Sequence, residues 1–193
     1  MIQKIASSLT EYSVSRNWIS SSKTQWCQYA LEKRLGMLVF ISICCIFAAI
    51  TSTWIEVLIF TLVLYLFRRR LGGWHARTFC SCQLISIGTV IATILSIGPL
   101  LELVATTTLI ILDISVIICT YALRPIYPSS AHFTQDITLA NTKKKNHLLL
   151  ILVVFQCICL RLKYSLFLTY SLLGLAIADI SVLLQYYNTR REE

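Results

Sequence analysis

The chain has 193 residues, of which 56% are hydrophobic and only 13% charged, with a formal net charge of +8. The apolar residues fall in blocks with too little polar sequence between them to fold a second, soluble domain, so the composition predicts an all-α, polytopic membrane protein forming a single domain over 1–193. The positive residues are dispersed among segments flanking the apolar blocks and do not form one stripe, which argues against nucleic acid as a partner.

Residues 1–36 are polar and basic, with no short apolar core and small-residue cleavage site, and so do not read as a cleavable signal. Within this arm Ile2, Ile5, Leu9 and Tyr12 recur at helical spacing opposite Lys4, Ser7, Ser8 and Glu11, predicting an N-terminal interfacial amphipathic helix. Trp18, Trp26 and Tyr29 suit the headgroup level, where an apolar ring with a polar tip is at home.

A bilayer core of about 30 Å needs roughly 20 helical residues, and backbone groups must be satisfied internally there. Six transmembrane helices are expected, over 37–53, 55–67, 82–98, 102–123, 147–160 and 164–187. Arg68 to Arg70 with Gly72-Gly73 end the second, and Gly98-Pro99 is expected to break the run from 82 to 123. A single tilted helix over 37–67 is the rival to the split near Thr53-Trp54-Ile55-Glu56. Charge arbitrates: with six spans and both termini cytoplasmic, fifteen Lys and Arg lie inside and only Arg161 and Lys163 outside. The two inner loops, 68–81 and 124–146, are basic, and the fifth span is short enough to require tilt, thinning or a re-entrant path.

Eight cysteines at 27, 44, 45, 80, 82, 119, 157 and 159 sit mostly in apolar runs or beside basic segments, so reduced thiols are expected instead of a disulfide framework. Cys44, Cys45, Cys119, Cys157 and Cys159 read as small packing residues.

The chemistry is concentrated in the 68–81 loop and the start of the third span. His75 and Cys82 can supply a base and a thiolate nucleophile, and Arg77 with the triple arginine Arg68, Arg69 and Arg70 favours the anionic form of a nearby sulfur. Glycine at 72 and 73 permits positive φ and close approach of backbone N–H groups to a bound peptide. On one straight helix, residues seven apart are separated by about 10.5 Å along the axis, so a His75–Cys82 pair requires a bend between them. On local sequence Cys80 is an equal rival as nucleophile, and His75, Cys80 and Cys82 fall one ligand short of the four that structural zinc usually takes, so no metal is expected.

The stretch Gly72-Gly73-Trp74-His75-Ala76 followed by Cys82, in a basic six-span chain, resembles the accessory gene regulator B (AgrB) family of bacterial membrane cysteine endopeptidases. The resemblance extends to the span order and to a loop with Pro125 and Pro128 near its start and Lys143 to Lys145 near its end. It implies a catalytic pair, His75 and Cys82, with Cys80 a bystander, and an acyl-enzyme thioester formed on an AgrD-like propeptide. The implied product leads to a cyclic thiolactone or lactone quorum-sensing signal. Gly72 and Gly73 are then candidates for the oxyanion site, and Arg69, Arg70, Arg77 and Lys143, Lys144, Lys145 for contacts to acidic residues of the propeptide, beside their role as anchors facing membrane lipid. The resemblance further implies the bacterial cytoplasmic membrane, a homodimer and no cofactor.

One departure is the lack of a further proline in 136–142, where the family pattern often has one. No third catalytic member is singled out among Asp136, Gln83 and a backbone carbonyl. Asp113 and Asp179 fall inside spans, where ionisable groups are costly. They read either as buried hydrogen-bonding groups or as the charges of a small peptide or ion transporter, the competing function; a non-catalytic membrane scaffold is a third.

Overall fold

The computed structural model describes residues 2–74, 76, 78–126 and 135–192. Among these residues the secondary structure is helical, with no strands. Residues Met1–Thr51 form one compact unit and Ser52–Glu193 a second.

In the first unit α1 (Ile2–Ser15) packs on α2 (Thr24–Thr51). The amphipathic helix is present, with Ala6 and Thr10 as its buried residues, while Ile5, Leu9 and Tyr12 remain exposed. The apolar stripe is therefore left outward, as an interfacial helix requires. Trp18, Trp26 and Tyr29 are likewise exposed.

The second unit contains α3 (Trp54–Leu71), α4 (Phe79–Ala92), α5 (Gly98–Glu102), α6 (Thr106–Ala122), α7 (Gln135–Arg161) and α8 (Ser165–Glu192). Helix occupies most of each of the six expected spans. The split near residue 53 is present: α2 ends at Thr51, Ser52 takes φ +58°, and α3 begins at Trp54.

The break expected at Gly98-Pro99 does not occur. A π-helical segment, Thr93–Ile97, joins α4 to α5, and Gly98 donates its N–H to Thr93 O, five residues back. Proline at the first turn of α5 needs no N–H donor there, so the helix passes through Pro99, and the chain leaves helix only at 103–105. The following helix accordingly starts at Thr106 instead of 102.

The 124–146 segment also differs from the expected loop, because α7 begins at Gln135 and runs unbroken to Arg161. Residues 136–142 contain neither Pro nor Gly, so nothing in the backbone stops the helix before the lysines. Pro128 and His132 lie outside the described residues.

Among the described residues three helices are long and apolar enough to cross a membrane: Thr24–Thr51, Cys80–Glu102 and Ser165–Arg191; Thr106–Ala122 is apolar but shorter. Helix α8 is the hub of its unit, packing on α3, α5, α6 and α7. Its Leu175, Ala178 and Val182 join Val63, Phe67 and Leu71 of α3 and Leu149 and Leu152 of α7 in one core, and Leu168 and Leu172 pack with Leu109 of α6. A Cβ at Gly174 would stand 2.9 Å from Phe60 O, so glycine there is what allows α3 and α8 to approach so closely.

Candidate active site

The glycine turn is held from two sides. Helix α3 ends as Gly72 N–H donates to Arg68 O (2.9 Å), and Gly72 and Gly73 then take φ +75° and +121°. Ile126 N–H donates to Leu71 O (2.9 Å) and Gly73 N–H to Ile126 O (3.2 Å), forming a short parallel bridge with the chain leaving α6. On the other side Trp74 N–H donates to Ser181 O of α8 (2.9 Å). Gly73 is buried so tightly against Ser181 that an added Cβ would sit 2.6 Å from its Oγ. Positive φ and this close approach together require glycine at 73.

Cys82 lies in the first turn of α4. Thr78 caps that helix, its Oγ1 accepting from Ser81 N (3.2 Å) and pairing with Ser81 Oγ (2.6 Å), while Cys82 N–H makes the first helical bond to Thr78 O (3.1 Å). Unsatisfied N–H groups and the helix dipole make such a terminus favourable for a negative charge. Cys82 is half-buried, whereas Cys80, two residues earlier and on a different face, is exposed. The eight cysteines form no disulfide.

Arg68 lies within electrostatic range of Cys82. Its guanidinium donates to Trp74 O, spanning the turn. Burial pulls its pKa below the ordinary arginine value, and the charge on Cys82 works in the opposite direction, so the sulfur lies within electrostatic reach of a cation that stays protonated. Of the triple arginine, only Arg68 takes this position; Arg69 is exposed and Arg70 Nη1 donates to Asn141 Oδ1 of α7 (3.4 Å).

His75 and Arg77 lie outside the described residues. Their neighbours nonetheless bear on the expected bend: Gly73, Trp74, Ala76 and Thr78 are non-helical, and α4 begins only at Phe79. A regular helix from 75 to 82 is therefore excluded. Gln83, beside Cys82, has a buried Oε1 with no hydrogen-bond partner among the described residues, while Asp136 is exposed on α7.

The three lysines separate. Lys143 and Lys144 are exposed, but Lys145 is fully buried and its Nζ donates to Thr120 O (2.7 Å), Tyr121 O (2.9 Å) and Leu123 O (2.7 Å). All three of its protons are thus spent on the C-terminal carbonyls of α6. Burial pushes its pKa down and the charge of Asp179 pushes it up, with burial the larger effect. Asp179 Oδ2 in turn accepts from Thr120 Oγ1 (2.8 Å). The other buried carboxylate, Asp113, accepts from Gln156 Nε2 (3.1 Å), which also contacts Ser171 Oγ (2.8 Å). Both aspartates therefore tie α6 to its neighbours through hydrogen bonds.

A family model described as accessory gene regulator B matches residues 2–185, nearly the whole chain. The chain belongs to the AgrB family. No curated protein and no solved structure matches it. AgrB membership, together with the three long apolar helices, makes this a membrane protein with a role in processing an autoinducing peptide, in the context of an AgrD-like propeptide. Gly72, Gly73 and Trp74 of the AgrB-like stretch fall where α3, the α6 exit and α8 pin the turn, and Cys82 follows in the capped start of α4. Sequence reasoning did not single out Arg68 from its neighbours, and it had no local signal for Ser181, which lies over a hundred residues from the turn it holds.

Proposed function

We propose that this AgrB-family chain is a cysteine endopeptidase in which Cys82 is the nucleophile and His75 the general base. The observation that carries the reading is the placement of Cys82 in the capped first turn of α4, within electrostatic range of Arg68 and directly after the non-helical residues Gly73, Trp74, Ala76 and Thr78.

In this mechanism His75 takes the proton of the Cys82 thiol, and the sulfur adds to a backbone carbonyl of the propeptide. The tetrahedral oxyanion is met by N–H groups at the α4 terminus or in the glycine turn. Collapse breaks the peptide bond; His75 gives its proton to the leaving amine, releasing the C-terminal part and leaving an acyl thioester on Cys82. Attack by a thiol or hydroxyl within the retained peptide then closes a thiolactone or lactone and returns the thiolate. Water in its place yields a linear product, so a half-buried sulfur at the lipid boundary favours cyclisation.

The same reading includes six spans with both termini cytoplasmic, residence in the bacterial cytoplasmic membrane and a homodimer. Arg69 and Arg77 are contacts for acidic propeptide residues, and Lys145 serves as the buried cap of α6. Support for the topology comes from the charge distribution and from the six helices that coincide with the apolar blocks.

The test is cleavage of a co-expressed AgrD-like propeptide followed by gel mobility. Cys82→Ser and His75→Ala are each expected to abolish cleavage while Cys80→Ser retains it. Cleavage surviving in Cys82→Ser overturns the assignment, and loss confined to Cys80→Ser moves the nucleophile.

A further inference from the structure

At the end of the bundle that carries the glycine turn, α3 and α7 frame an open cleft of about 480 Å³, lined by Leu66 and Arg70 of α3 and by Lys143, Lys144, His147, Leu148 and Ile151 of α7. The two helices run in opposite directions, and both place their basic residues at the same end of this cleft. Leu66 lies one turn from Arg70, about 6 Å along α3, and Ile151 two turns from Lys144, about 10 Å along α7, so charge gives way to an apolar wall toward the bundle centre.

We propose that this cleft binds one anionic phospholipid. Its phosphate lies among Arg70, Lys143, Lys144 and His147, and the first part of an acyl chain lies on Leu66, Leu148 and Ile151. The ordering of charge and apolar surface along the helix axes matches a lipid, which carries its anion and its hydrocarbon in that sequence along the membrane normal. An acidic peptide matches the charged end equally well but has no corresponding demand for the apolar wall, part of which, Ile151, is 59% exposed. The Arg70–Asn141 hydrogen bond holds the arginine toward α7, so the anion-binding groups of the two helices converge before any ligand arrives. Occupancy by a phosphate bridging Arg70 and the α7 lysines ties the end of α3, two residues ahead of Gly72, to α7.

The test is lipid retention by the full-length protein after extraction from membranes, read by native mass spectrometry and by exchange in nanodiscs of phosphatidylglycerol or phosphatidylcholine. The expected result is one tightly retained phosphatidylglycerol per protomer, no comparable retention of phosphatidylcholine, and retention at least about tenfold weaker in Lys143→Gln/Lys144→Gln. Arg190→Gln/Arg191→Gln removes the same charge at the C-terminal end of α8 and is expected to retain the lipid as the parent does. Equal retention of both lipids, or equal loss in both double variants, overturns the proposal. So does unchanged lipid retention in Lys143→Gln/Lys144→Gln with lost binding of a synthetic acidic peptide, which makes the peptide the occupant. None of these readouts uses propeptide cleavage, so the proposal stands or falls apart from the peptidase reading.

Discussion

Trp74 donates its backbone N–H to the carbonyl of Ser181 at 2.9 Å, fastening the glycine turn to the central helix of the bundle. The residue that follows Trp74 in the chain is His75, so the contact that anchors the backbone just ahead of the proposed base comes from a helix more than a hundred residues away.

Gly73→Ala tests that fastening. Alanine there meets φ +121° and a contact of 2.6 Å to Ser181 Oγ, so the turn must move off α8. The expected cost is about 1–3 kcal/mol of stability, with propeptide cleavage lost. Thermal unfolding in detergent and cleavage in membranes measure the two effects; full activity with an unchanged unfolding temperature counts against the fixed turn.

Thr78→Ala removes the cap of α4 and is expected to cost about 1 kcal/mol locally. Fraying of the first turn weakens the N-terminal field at Cys82, so alkylation of Cys82 by iodoacetamide in a Cys80→Ser background should slow several-fold, and Thr78→Ser should restore it. Equal alkylation rates in all three proteins argue against a role for the cap.

Lys145→Met strips the carbonyls of Thr120, Tyr121 and Leu123 of their donor. Leaving a buried acceptor unsatisfied typically costs about 1–3 kcal/mol, so this variant should accumulate poorly and unfold well below the parent temperature. Lys143→Gln and Lys144→Gln, exposed one and two residues earlier, should leave unfolding unchanged.

Asp113→Asn separates the peptidase from the transporter reading. An asparagine oxygen can still accept from Gln156, so cleavage should persist, whereas Asp113→Leu leaves the buried amide short of a partner at about 1–3 kcal/mol. Loss of cleavage in Asp113→Asn with normal protein levels would point to a functional charge.

Much of this arrangement is legible in the sequence because it follows from local rules. Apolar blocks mark the helices, and Gly72-Gly73 mark a positive-φ turn. The fate of Pro99 was not legible, because a preceding π-helical segment absorbs the missing donor and only the three-dimensional path reveals it. The three lysines look alike in composition, and helical phase separates them. Lys145 is in register with buried Leu149, Leu152, Gln156 and Cys159, so extending that period backwards marks it as the inward one. Arg68 and Ser181 acquire their roles only when α3, α4 and α8 come together.

The most direct test of the account is the intact mass of the purified protein after brief exposure to its propeptide, with quenching at acid pH. The account predicts a covalent adduct carrying the N-terminal propeptide fragment, released by hydroxylamine as a thioester must be, present in Cys80→Ser and absent in Cys82→Ser. An adduct that persists in Cys82→Ser, or cleavage at full rate with no adduct at any time point, contradicts it.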